Sequence, residues 1–151
     1  MLELITDSPV STDYEQDLAV WYQRQAELLR ARRFDELDLA NLIEELDVAV
    51  GNLRKELANR LEVSIMHLLK CQFQHERLCG SWKGTLTEQR SAIGRQLEES
   101  PSLRPLVMPL AEKVYPAAAR RAADETGLAI DGLPAVNPYT SGQLLDMDFV
   151  P

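Results

Sequence analysis

From Leu39 to Leu68 the positions Leu39, Ile43, Leu46, Val50, Leu53, Leu57, Leu61, Ser64 and Leu68 follow one another at four- and three-residue steps that alternate except for two successive fours at Leu57, and all but Ser64 are apolar. This heptad-like seam fits one face of a helix and no strand. Asp38 is placed to cap its start, so the spacing predicts a helix from residue 38 to about 74. At 1.5 Å per residue such a helix spans roughly 55 Å, longer than a compact domain of this size requires. It therefore either protrudes to pair with another chain or breaks. Gly51 is the weakest point, although one internal glycine costs only about 1 kcal/mol.

The other segments read as helices too. Thr12-Asp13-Tyr14-Glu15 fits a capping box, and Tyr14, Leu18, Trp21, Tyr22, Leu28 and Leu29 form an inward stripe that ends at the basic Arg30–Arg33 stretch. After Gly80, Ser81 is expected to cap a third helix whose stripe is Trp82, Leu86, Ile93 and Leu97. A fourth follows Ser100-Pro101-Ser102 and ends before Gly127, with Pro109 and Pro116 expected to kink or divide it. Pro134 and Pro138 mark an extended tail, in which Thr140-Ser141-Gly142-Gln143 starts one short helix. No alternating β-branched run supports a sheet. The expected fold is all-α: a single-domain antiparallel bundle of about four main helices with one long helix and an extended C-terminal tail. Its expected divisions are an N-terminal arm over 1–11, the bundle over 12–130 and a packed tail over 131–151.

Composition agrees, since 151 residues with 45% apolar and 26% charged side chains suit one domain with its own core. Nothing is long and apolar enough to span a membrane, the first residues lack the pattern of a signal peptide, and two cysteines make no disulfide framework. The expectation is a cytoplasmic protein with reduced thiols. A net charge of −8 opposes non-specific binding to DNA, RNA or anionic lipid. The charge is uneven, because residues 51–95 hold eight Lys and Arg against four Asp and Glu. That basic third is expected to dock onto acidic segments of the same chain or of a second copy, or else onto an external anionic partner.

Several residues are of types that carry chemistry. His67, Cys71, His75 and Cys79 recur every four residues. On one helix they stretch over roughly 18 Å and turn through about 120°, which no tetrahedral zinc site tolerates, so no metal and no cofactor is expected. His67 is read as hydrogen-bonded within the bundle, Cys71 as a core residue and His75 as exposed. Glu44 and Glu45 point about 100° apart, so they form no carboxylate pair. One is expected to meet an inward cation such as Lys70 or Arg90. Trp82, Thr85, Gln89 and Arg90 lie beside Lys70 and Arg77 in the basic third, a mixture able to clamp phosphate and stack on a base, while Trp82 also fits the core period. No phosphate-binding loop, nucleophile elbow or dinucleotide fingerprint occurs.

The chain resembles a bacterial all-helical family known as domain of unknown function twenty-nine. The matching stretches are Tyr14-Glu15-Gln16-Asp17 with Trp21, Phe34-Asp35-Glu36-Leu37-Asp38 and Leu42-Ile43-Glu44-Glu45. They continue with His67-Leu68-Leu69-Lys70, Arg77, Ser81-Trp82, Thr85, Glu88-Gln89-Arg90, Pro101-Ser102-Leu103 and Pro138-Tyr139. The family pattern has an aromatic residue where this chain has Cys71 and commonly proline where it has His75, so the resemblance makes the four-residue stripe an accident of this sequence. It implies a small helical protein and carries over Glu44, Glu45, His67, Lys70, Trp82, Thr85, Gln89 and Arg90 as a shared polar set. A functional site explains that set, and so does a buried glutamate–histidine–arginine network between the second and third helices.

Two functions follow as expectations. The first is a non-enzymatic module that binds another protein or a second copy of itself. The second is a nucleic-acid-acting effector, ribonuclease-like, with His67, Glu44 and Glu45 as catalytic candidates, His67 shuttling a proton, and Lys70 and Arg90 among the binding residues holding phosphate.

Overall fold

The computed structural model describes residues 13–151, and these are helical with no strand. The all-α expectation holds. The expected arm and the cap at Thr12 lie outside the described residues. Six α-helices follow in order: α1 Asp13–Gln16, α2 Leu18–Arg30, α3 Leu39–Phe73, α4 Gly80–Glu99, α5 Val107–Thr126 and α6 Ser141–Leu145. Packing divides the chain between Val50 and Gly51 into two compact units. Helix α3 stays helical through Gly51, so the predicted long helix is one piece.

In the first unit the helix expected to start at Thr12 is interrupted at Asp17. The Asp17 carboxylate accepts from the Val20 amide at 3.1 Å and so starts α2 afresh. Only Trp21, Gln25 and Leu28 of α2 are buried, whereas Leu18, Tyr22 and Leu29 of the predicted stripe are exposed. Polar bonds fix α2 to the start of α3. The Trp21 indole N–H donates to Asp38 at 3.1 Å, and the Asp38 amide donates to the Gln25 side chain at 2.9 Å. Asp38 also accepts from the amide and side chain of Asn41, which with Trp21 holds its carboxyl below the usual range. Tyr14 and Tyr22 both donate to Glu45 and both pack edge-on against Trp21.

The second unit contains the main core. Leu57, Leu61, Ile65, Leu68 and Leu69 of α3 pack with Leu86, Ile93 and Leu97 of α4 and with an alanine-rich face of α5, where Ala111, Ala118 and Ala122 are fully buried. The seam of α3 thus has two fates: Leu57, Leu61, Ser64 and Leu68 are buried, whereas Leu39, Ile43, Leu46, Val50 and Leu53 are exposed.

Three local expectations are corrected. Helix α4 begins one residue before Ser81, with Cys79 at the capping position and no side-chain cap, and Ser81 is exposed. Neither Pro109 nor Pro116 divides α5. Pro109 falls in the first turn, where a missing N–H has no intrahelical acceptor, and Pro116 is carried inside a continuous helix. The break lies earlier, where the 3-10 turn Pro101–Leu106 gives way to α5. Gly127 ends α5 in the left-handed conformation, at φ 74°. Thr140 and Gln143 form the capping box of α6, as the sequence indicated.

Helix α2 closes with an unusual residue. The Arg33 amide donates to the Leu28 carbonyl and the Arg32 amide to Leu29, the paired bonds of a Schellman motif, and Arg32 occupies its left-handed position at φ 57°. A side chain there costs about 1 kcal/mol relative to glycine. Arg32→Gly is therefore expected to stabilise the protein by about 0.5–1 kcal/mol, seen as a raised midpoint in thermal or urea unfolding. An unchanged or lowered midpoint contradicts the assignment.

Candidate functional site

The polar residues singled out from the sequence fall into four separate places. Helix α3 carries His67 and Lys70 three residues apart, hence on one face, and α5 brings Glu125 to them. The Lys70 ammonium is almost buried, bonds to Glu125 at 2.8 Å and sits 4.6 Å from the centre of the Trp82 ring. Trp82 is half-buried against the core, so it packs and faces a cation at once. The Lys70 bond holds the Glu125 carboxyl below the usual range.

The His67 Nδ1 lies 2.9 Å from the Val63 carbonyl of its own helix. A carbonyl only accepts, so Nδ1 carries the proton and the neutral ring keeps its lone pair on Nε2. Burial lowers the His67 pKa, with Lys70 and Arg121 adding to the effect. The imidazole is neutral near pH 7.

Arg90 performs a different task. It is buried on α4, and its guanidinium donates to three carbonyls of the C-terminal segment: Leu144 at 3.1 Å, Phe149 at 2.7 Å and Gln143 at 2.8 Å. The segment is held further by the Tyr139 hydroxyl on Gln72 and by the edge contact of Tyr139 with Phe149. Gln89 instead accepts from Arg60 at 3.3 Å. Both line an open groove of about 390 Å³ with Asn52, Lys55, Glu56, Asn59 and Val63. Thr85 donates back to the Ser81 carbonyl, a bond internal to α4.

Glu45 belongs to the first unit, where two phenols take the place of the cation expected for one of the glutamates. Its hydrogen bond pushes the Tyr14 pKa up to about 12. Glu44 is exposed. Lys70 pairs with Glu125, and Arg90 with backbone carbonyls of the C-terminal segment.

Cys71 is buried and Cys79 exposed, both as free thiols, and His75 is exposed. Among the described residues no three His, Cys, Asp or Glu side chains converge in a way that could hold a metal ion. Among them, too, no helix is long and apolar enough to cross a membrane.

Sequence reasoning did not single out the exposed half of the seam. Leu39 is 59% exposed, Ile43 61%, Leu46 67% and Val50 47%. Helix α2 covers a different side of α3, the one that carries Asp38, Asn41 and Glu45. No periodicity distinguishes an exposed seam from a buried one. The available signal was charge, because residues 13–50, which carry most of the exposed half, hold ten carboxylates against four arginines.

Two substitutions probe the polar set. Arg90→Met leaves three carbonyls without their donor and is expected to destabilise by about 3 kcal/mol, with faster amide exchange over residues 139–150. Unchanged exchange there refutes the latch. For Glu125 the folded pKa is depressed, so its contribution is complete above the ordinary value of 4.5 and is lost as the pH falls through the folded value. Glu125→Gln is accordingly expected to flatten the acid limb of a stability–pH curve below that value, measured by urea unfolding, and an unaltered limb counts against the Lys70–Glu125 bond.

No curated protein and no solved structure gives a significant match to the chain. A family model does, over residues 14–150, covering both units and every residue of the polar set. The chain belongs to the family described as domain of unknown function DUF29.

Proposed function

We propose that this protein is a non-enzymatic protein-interaction module that works through the helical hairpin of its first unit. The observation that carries this reading is the row Leu39, Ile43, Leu46 and Val50, four large apolar side chains on one helix face, each about half or more exposed. Water-facing rows of this kind mark contact surfaces, whereas scattered apolar residues do not. A seam of 3.5-residue period is moreover the pattern that a second helix packs against. The polar residues that suggested chemistry support the same reading, because Arg90, Lys70 and Gln89 are each engaged by partners inside the fold. The two free cysteines accord with a reducing cytoplasm.

The test is the mass of the protein in its native cells. Wild-type protein is expected to run as a complex, and the Ile43→Ser/Leu46→Ser variant as a free chain of 17.0 kDa with an unchanged melting curve, because both side chains are exposed. A wild-type protein that is monomeric in the cell, or a variant that stays in the complex, overturns the proposal.

A further inference from the structure

Charge divides along the same line as packing. Residues 13–50 hold ten carboxylates against four arginines, a net −6, while residues 51–151 hold twelve charges of each sign. The acidity of the protein therefore resides in the unit that exposes the seam. Asp47 flanks the seam directly, and Glu44 lies further round the same helix.

We infer that the seam receives a basic amphipathic helix presented by another protein. This rests on the interaction-module reading and names the partner's chemistry. The apolar row fixes the shape of the occupant as a helix with its own row at 3.5-residue period, crossing α3 at about 20°. The net −6 fixes its sign. Lysines and arginines beside the partner's row enter a field that attracts them, and they meet Asp47 at the rim. A second copy of this chain fits less well. The positions bordering Leu39 to Val50 are Ala40, Leu42, Asp47 and Ala49, and Arg54 beside Leu53 is the one cation at the end of the row, so a second copy offers a single cation and adds a further −6. An anionic membrane or a nucleic acid is repelled by the same field.

The experiment uses the full chain and two synthetic helical peptides, each three heptads long with leucine at the core positions, one carrying lysine and the other glutamate elsewhere. Binding is read by fluorescence anisotropy, and the association state of the free protein by sedimentation. The lysine peptide is expected to bind and to weaken about tenfold or more as salt is raised beyond the screening range. The glutamate peptide is expected not to bind. Leu39→Ser/Ile43→Ser/Leu46→Ser, which changes no charge, is expected to reduce lysine-peptide affinity by about tenfold or more.

Equal binding of the lysine peptide to wild type and the serine variant means adsorption by charge alone and overturns the inference. Equal binding of both peptides overturns it as well. A wild-type dimer that the serine variant lacks assigns the seam to a second copy, which sinks the basic partner and leaves the interaction module standing. The same holds where a seam-dependent complex exists in cells but the lysine peptide fails to bind. Failure to bind together with a monomer in cells ends both proposals.

Discussion

A helix seam is buried only along the length over which other elements lie against it, and the organisation of this protein follows from where that cover falls on α3. From Leu57 to Leu68 the seam forms the centre of a core closed by α4 and α5. From Leu39 to Val50 the neighbouring helix packs on another side and the seam faces water. Burying one large aliphatic side chain contributes about 1.5–3 kcal/mol. Four such residues left uncovered are a sizeable store of binding free energy for any helix that brings a matching row.

The first unit is built to tolerate that exposure. With Trp21, Gln25 and Leu28 as the buried residues of α2, apolar burial is modest, and directed bonds supply much of the definition. The Asp38 carboxylate joins Trp21 and Asn41 while its amide joins Gln25. Glu45 accepts from two phenols, and its hydrogen bond raises the Tyr14 pKa to about 12. Hydrogen bonds of this kind fix the hairpin's geometry without using the apolar row. The hairpin therefore keeps its shape whether or not that row is covered.

Much of the fold was legible because it rests on local rules. The limits of α3, the stop at Gly127 and the start of α6 at Thr140 follow from periodicity, a left-handed glycine and a capping box. What stayed hidden depends on distant or featureless partners. The same four–three spacing describes Ile43, which is exposed, and Leu61, which is buried, so sequence alone does not tell them apart. Lys70 finds Glu125 fifty-five positions away. Arg90 finds carbonyls, which every residue carries and no residue code reveals. Hence the set from Glu44 to Arg90 reads as one constellation in sequence and separates in space into a phenol-bound carboxylate, a histidine–lysine–tryptophan cluster, a polar groove and a tail latch.

Charge shows the same separation between what is local and what is assembled. The basic stretch 51–95 looks like a surface awaiting an anion, but Lys70 is matched by Glu125 from outside it. Residues 96–151 contribute eight carboxylates against four cations and cancel its excess. Neutrality of the second unit leaves it little long-range pull on any charged molecule, whereas the −6 of the first unit acts out to about 8 Å at physiological salt. Steering and adhesion then reside on the same helical hairpin. For the proposed basic helix, attraction would set how fast it arrives, and burial of Leu39, Ile43, Leu46 and Val50 how long it stays.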